Sequence, residues 1–242
     1  MSGNLPLTKC LDPADFDQLA EELVIVDRYF TSAREQHPMR RWEYAMALRA
    51  LAIWHRGESV GSITDLEIYD VGGGGSPFQA IVQAALHRDD LDAVLVIDPA
   101  AEEAEAYVMP LSQALRQHPS LGDAVFCLSV LEHVDDLDQF LYHLSCLVAP
   151  GGLLFLTMDS CDTYTSSWSW PVDMAHFHWM RKRIFSIERW KDLAGDHGGI
   201  EEPLIDAFDR EFDLLGEADW TYHGHQLFGT YSFASLALVK RP

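Results

Sequence analysis

Leu66-Glu67-Ile68-Tyr69-Asp70-Val71-Gly72-Gly73-Gly74-Gly75 is the stretch on which the fold turns. Six residues of strand character run into four glycines. Phe78, Ile81, Val82, Ala85 and Leu86 then recur at helical spacing. Outward from this unit the alternation continues. Ala93 to Asp98 is an apolar run of strand length, and Tyr107-Val108-Met109 suggests a brief third strand. Ala124 to Val130 is a fourth. Leu137, Phe140, Leu141, Leu144, Leu147 and Val148 form the clearest helical stripe, stopped by Pro150-Gly151-Gly152 ahead of a strand over Leu153 to Met158. These strands are continuous apolar runs, not apolar/polar alternations. That predicts a parallel sheet buried on both faces by helices, a doubly wound α/β fold. Glu211 to Trp220 and Tyr231 to Lys240 complete seven strands as an antiparallel pair at a sheet edge.

Two regions stand outside this pattern. Residues 12–58 read as helical: Asp12 can cap, Pro13 suits the first turn, and Phe16, Leu19, Leu23, Val26 and Phe30 share a face. Tyr44, Ala45, Leu48, Leu51 and Ala52 mark a second helix, separated from the first at His37-Pro38. The expected division is an N-terminal helical cap over residues 1–61 and an α/β domain over 62–242. Residues 160–185 carry Tyr164, Trp168, Trp170, His176, Phe177, His178 and Trp179 without a clean period and read as an aromatic-rich lid insertion. Ser186 is expected to cap a further helix through Trp190 and Leu193.

Composition narrows the function. The 242 residues hold 17 Lys+Arg against 38 Asp+Glu, a formal net charge of −21. Such a surface repels a phosphate backbone and an anionic bilayer, so neither nucleic acid nor membrane is the expected partner. Arg181-Lys182-Arg183 is a local basic exception. The first residues, Met1-Ser2-Gly3-Asn4-Leu5-Pro6, lack the basic and apolar regions of a signal peptide, and no apolar run approaches the roughly 18 residues that span a bilayer. Cys10, Cys127, Cys146 and Cys161 form no CxxC pair and are expected as reduced thiols. The expected location is cytoplasmic.

The glycines sit at the carboxyl end of the first strand of the α/β unit, where open α/β sheets bind nucleotides. Counted from Gly72 or from Gly73, the third position of a dinucleotide GxGxxG fingerprint falls on Pro77 or Phe78. Neither is Gly or Ala, which argues against a nicotinamide-dependent oxidoreductase. No Gly-Lys-Ser/Thr follows, so a P-loop is excluded as well. Asp70 directly before the loop disfavours a diphosphate and suits a cationic ligand. Asp98 closes the second strand, where a carboxylate can accept both ribose hydroxyls or cap the helix that follows.

Taken together, Asp70-Val71-Gly72-Gly73-Gly74, Asp98, Ser129-Val130-Leu131-Glu132-His133-Val134 and Ala149-Pro150-Gly151-Gly152-Leu153-Leu154 resemble the class I S-adenosylmethionine-dependent methyltransferases. Arg41-Trp42-Glu43-Tyr44 is similar to a cap segment of some bacterial members. The resemblance implies a Rossmann-like, mostly parallel seven-stranded sheet with an antiparallel last strand. It implies S-adenosyl-L-methionine as cofactor and S-adenosyl-L-homocysteine as product. Gly72, Gly73 and Gly74 would pass beneath the methionyl part, with Asp70 near its amino group. Asp98 would take the ribose hydroxyls, Pro99 with Leu111 or Ser112 would flank the adenine, and Ser129 and Glu132 would line the methionine side. The chain departs from the family pattern between Asp98 and Asp123, an interval with no Gly-Asp-Ala-type segment before the fourth strand.

Methyl transfer from a sulfonium is an in-line displacement that needs positioning and, for some acceptors, a base. The candidates are His133, Asp159, His176 and His178, each of which also has a structural reading as a strand-end hydrogen bond, a turn cap or a packed ring. His176-Phe177-His178 lacks a third ligand at metal spacing, so no metal is expected. Arg181 and Arg183 suit an anionic substrate group or solvent. The expected acceptor is a small molecule or sugar-containing metabolite. A non-catalytic binding protein on the same fold is the alternative from another class, and a homodimer is compatible with the late strands.

Overall fold

The computed structural model describes residues 5–12, 14–30, 40–57, 65–73, 76–87, 94–97, 106–107, 111–117, 121–131, 134, 136–161, 185–186, 211–220 and 232–242. The chain opens with β1 (Thr8–Cys10), α1 (Asp15–Gln18), α2 (Ala20–Tyr29) and α3 (Arg40–Gly57). The alternating part follows: β2 (Ile68–Val71), α4 (Phe78–Ala85), β3 (Val94–Ile97), β4 (Ala106–Tyr107), α5 (Leu111–Gln117), β5 (Gly122–Leu128), α6 (Leu137–Leu147) and β6 (Val148–Cys161). The last strands are β7 (Phe185–Ser186), β8 (Phe212–Leu214), β9 (Ala218–Asp219) and β10 (Ser232–Lys240).

All described strands join one sheet, ordered β4-β3-β2-β5-β6-β10-β1-β9, with β7 on β6 and β8 on β10. β4, β3, β2, β5 and β6 are mutually parallel, and β10 returns antiparallel to β6 from Ser232↔Ser160 to Val239↔Leu153. β8 pairs antiparallel with β10 at Leu238↔Leu214. The seven expected strands are therefore present as β4-β3-β2-β5-β6-β10-β8, a doubly wound sheet with its last strand reversed.

The differences are local. The strand expected over 211–220 is two short ones, because Gly216 takes a positive φ of 88° between them. The third strand sits at Ala106–Tyr107, and the fourth ends at Leu128, since Ser129 leaves the extended region. Ladder pairing on β6 begins at Val148, before Pro150-Gly151-Gly152: β6 advances from Val148 to Leu153 while β5 advances from Gly122 to Ala124. Phe185 and Ser186 pair in parallel with Ser160 and Cys161 of β6, and the helix expected after Ser186 lies outside the described residues. β1 and the break between α1 and α2 were not expected.

Alternation along β5 divides the core. Ala124, Phe126 and Leu128 face one layer with Ile68, Leu153, Phe155 and the helices α2, α3 and α4. Val125 and Cys127 face the other with Tyr69, Leu154, Leu156, Leu141 and Leu144. α6 starts where Asp136 accepts from the Gln139 N–H at 3.0 Å and ends where Lys240 Nζ donates to Ser145 O at 2.7 Å and Val148 O at 3.2 Å.

The N-terminal helices share a core with the sheet. Tyr44 of α3 stacks on Phe78 of α4 with ring centroids 5.6 Å apart. Arg49 forks onto Glu22 at 2.5 and 2.8 Å, and Arg41 onto Asp27 at 2.6 Å through both nitrogens, fastening α3 to α2. The hydrogen bond to Glu22 raises the Arg49 pKa above its ordinary value. Beneath them, Lys9 Nζ donates to buried Asp15 at 2.6 Å, and Trp42 Nε1 and the Asp12 N–H donate to the other Asp15 oxygen at 3.0 Å. This cluster pins β1 and α1 to α3. Trp54 Nε1, late in α3, donates to Gly151 O at 2.9 Å, early in β6. Glu43, early in α3, meets Thr157, late in β6. Helix α3 thus runs against β6 and presents its first turns to the carboxyl edge of the sheet.

Candidate active site

The carboxyl ends of β2, β3, β5 and β6 meet at one edge. After Asp70 and Val71 the chain turns at Gly72, whose φ is 81° and whose N–H donates to Ile97 O on β3 at 2.7 Å. A Cβ on Gly72 would lie 2.3 Å from Val130 Cγ2, so the chain after β5 closes directly on this turn. A Cβ on Gly73 would lie 1.9 Å from Asp70 Oδ2. The buried Asp70 carboxylate is therefore packed against bare backbone, which only glycine permits. The turn is thus packed between Val130 and the Asp70 carboxyl, at the carboxyl end of β2.

β5 ends in a second tight feature. Ser129 takes a left-handed φ of 52°, uncommon for a residue with a Cβ. Its N–H donates to Thr157 O at 3.0 Å and Thr157 Oγ1 at 3.2 Å. Its hydroxyl donates to Glu43 Oε1 at 2.6 Å, and the Thr157 hydroxyl donates to the same oxygen. Glu43 is fully buried.

Of the expected site residues, Asp70, Gly72, Gly73 and Ser129 lie together at this edge. Leu111 and Ser112 open α5, and Leu111 packs in the cluster that holds Val71, Ile97 and Leu131. Asp159 lies on β6, paired in register with Phe233. Gly74, Asp98, Pro99, Glu132, His133, His176 and His178 fall outside the described residues, as do residues 162–184 of the expected lid. Among the described residues, no three His, Cys, Asp or Glu side chains gather as metal ligands. Sequence reading did not place Glu43 at the site. Its signals are the likeness of Arg41-Trp42-Glu43-Tyr44 to a family cap segment and an acidic residue inside the otherwise apolar run Trp42 to Leu48.

A parallel sheet reversed at its last strand, with a glycine turn over an acidic residue after its central strand, is the class I methyltransferase architecture. The chain belongs to that S-adenosylmethionine-dependent family: the methyltransferase domain model matches residues 39–198. The ubiquinone biosynthesis O-methyltransferase of Pectobacterium carotovorum subsp. carotovorum (strain PC1) is 26% identical over 157 residues, 59% of this chain and 61% of that protein. The chain thus matches about three fifths of that relative's length. The plantazolicin methyltransferase BpumL, crystallised with a triazolic desmethylPZN analog and SAH, superposes with a TM-score of 0.52 at 9% identity, over 93% of this chain and 99% of that one. The DszA carbon methyltransferase gives a TM-score of 0.52 at 14% identity, over 87% of this chain and 56% of that one. At these identities the two structures speak to the fold.

Proposed function

We propose that this chain binds S-adenosylmethionine and transfers its methyl group to a small organic or sugar-containing acceptor in the cytoplasm. The observation that carries the reading is the cradle at Gly72 and Gly73, closed by Val130 and underlain by buried Asp70. The turn lies at the carboxyl end of β2, where open α/β sheets bind nucleotides, and the Asp70 carboxylate suits a cationic amino acid portion. The cofactor, when bound, supplies an electrophilic methyl on a positively charged sulfur. The chain's own part is to hold it: Asp70, Gly72, Gly73 and Gly74 at the methionyl end, Asp98 at the ribose, Pro99, Leu111 and Ser112 around the adenine, Ser129 and Glu132 along the methionine side. Catalysis then rests on holding acceptor and donor in line, with a base drawn from His133, Asp159, His176 or His178 where the acceptor must lose a proton. The residue 160–185 segment and the N-terminal helices would complete the acceptor pocket. No described helix is long and apolar enough to cross a membrane.

Calorimetric titration with S-adenosylhomocysteine, with NADH as parallel control, tests the reading. Micromolar affinity for the first alone is expected. Asp98→Ala should weaken it by about 1–3 kcal/mol, through loss of the ribose acceptor. Binding of neither ligand would overturn the cofactor assignment. Tight binding without turnover on a broad acceptor panel would overturn catalysis and leave a binding protein.

A further inference from the structure

We infer that Glu43 is a positioning residue of the cofactor site: its buried carboxylate clamps the left-handed turn at Ser129 that sets Val130 against the glycine loop. The inference rests on the reading of the glycine turn as a cofactor cradle.

Each link is a contact. Glu43 Oε1 accepts from the Ser129 hydroxyl at 2.6 Å and from the Thr157 hydroxyl. Thr157 in turn accepts from the Ser129 N–H through both its carbonyl and its hydroxyl. Ser129 is thereby held from both its side chain and its backbone at φ 52°, a conformation that a β-carbon disfavours. The next residue, Val130, is the wall against which Gly72 is packed. Without the clamp, Ser129 would relax toward the extended region, and Val130 would leave Gly72. Glu43 acts on the cradle through Ser129 and does not itself touch the glycines.

The position of α3 gives the clamp a consequence. Its first turns belong to a segment fixed by Lys9, Asp15 and Trp42, far from the glycine loop in sequence. The shape of the cradle therefore depends on the N-terminal segment being docked. A carboxylate is buried here for the acceptor oxygen it offers: both hydroxyls converge on a single oxygen, which a glutamine amide also supplies.

The test is a set of variants read by affinity for S-adenosylhomocysteine and by amide hydrogen exchange of Leu128–Leu131. Glu43→Gln should keep affinity within about threefold of the parent, because the shared acceptor survives. Glu43→Met should lose about tenfold and speed exchange at Ser129. Ser129→Ala keeps the β-carbon and loses the hydroxyl, so it should lose a similar factor. Ser129→Gly adopts the left-handed turn unaided, so adding Glu43→Met to it should cost no further affinity and speed exchange no further than Ser129→Gly alone. Generic damage to the fold would not be repaired by that glycine. If Glu43→Gln is as harmful as Glu43→Met, the charge matters and the positioning role is overturned. A further tenfold loss on adding Glu43→Met to Ser129→Gly overturns it as well, as does an unchanged Glu43→Met. If the parent chain binds no S-adenosylhomocysteine, the proposed function falls and the exchange arm alone decides the clamp. Should Glu43→Met not fold, Ser129→Ala against Ser129→Gly decides it by amide exchange of Leu128–Leu131, which should speed in the alanine variant and not in the glycine one.

Discussion

Gly72 and Val130 should behave as one energetic unit, and a double-mutant cycle on Gly72→Ala and Val130→Ala measures it. At φ 81° a β-carbon at residue 72 costs about 1–2 kcal/mol in backbone strain alone. The same atom would sit 2.3 Å from Val130 Cγ2, 2.9 Å from Cγ1 and 3.2 Å from Cβ. Forcing it in adds an overpacking cost of about 1–3 kcal/mol, so the single variant should lose about 2–5 kcal/mol in total. Val130→Ala by itself, at a half-buried position, should cost about 1 kcal/mol. In the double variant both methyls are gone and only the 3.2 Å contact remains, which a shift of a few tenths of an ångström relieves. The double should therefore be less destabilised than the sum of the singles by about 1–3 kcal/mol, with the strain at residue 72 left over. Urea unfolding followed by tryptophan fluorescence gives the four stabilities. Titration with S-adenosylhomocysteine on the same proteins should show affinity recovering in the same order. Additivity within about 0.5 kcal/mol would refute the argument, because it would mean that Val130 does not wall the glycine turn. A fully stable Gly72→Ala would refute the left-handed turn itself.

Asp15→Ala removes the partner of buried Lys9 and the acceptor of Trp42 Nε1; it should cost about 3–5 kcal/mol, lowering Tm by roughly 10 °C. Lys9→Met with Asp15→Leu should be milder than Asp15→Ala in the same melt, since no unpaired charge is left behind. Lys240→Met leaves the Ser145 and Val148 carbonyls at the end of α6 without their cation and should cost about 1–2 kcal/mol in urea unfolding. The Arg241 guanidinium, hydrogen-bonded to Asp213 at 2.8 Å, holds that carboxyl below its ordinary pKa. The pair therefore stabilises the fold above the ordinary carboxylate range, and the contribution is lost as pH falls through the lowered value. Asp213→Asn should flatten the acid limb below the ordinary carboxylate range, by a small amount because both groups are exposed. A stability difference from the parent that does not shrink on acidification would contradict the assignment.

What could be read from the chain and what could not differ by range of interaction. β2, β3, β5 and β6 were legible because burial on both faces demands unbroken apolar runs, and those runs are local facts. The stop of α6 was legible only approximately: Pro150-Gly151-Gly152 signals a helix end, but the chain is already extended at Val148, where it pairs with Gly122. β1 was not legible: Thr8-Lys9-Cys10 has no strand signal, and its place is set by pairing with Ser235 and Ala234, more than two hundred residues away. Its buried lysine looks solvent-bound until Asp15 is seen folded back onto it. The helix α3 misled in another way. A one-sided stripe predicts a surface helix, yet every residue from Trp42 to Leu48 is buried, because α2, α4 and the sheet surround it. In a surface helix Glu43 would be a solvated first-turn acid that favours the helix dipole. What makes it part of the site is a pair of hydroxyls 86 and 114 residues further on, brought to one carboxylate oxygen by strands whose order no local window reveals. The glycine turn announces itself in sequence because its chemistry is backbone chemistry, carried by the residues that form it. The clamp does not, because it is a contact between elements and exists only once the sheet has been assembled.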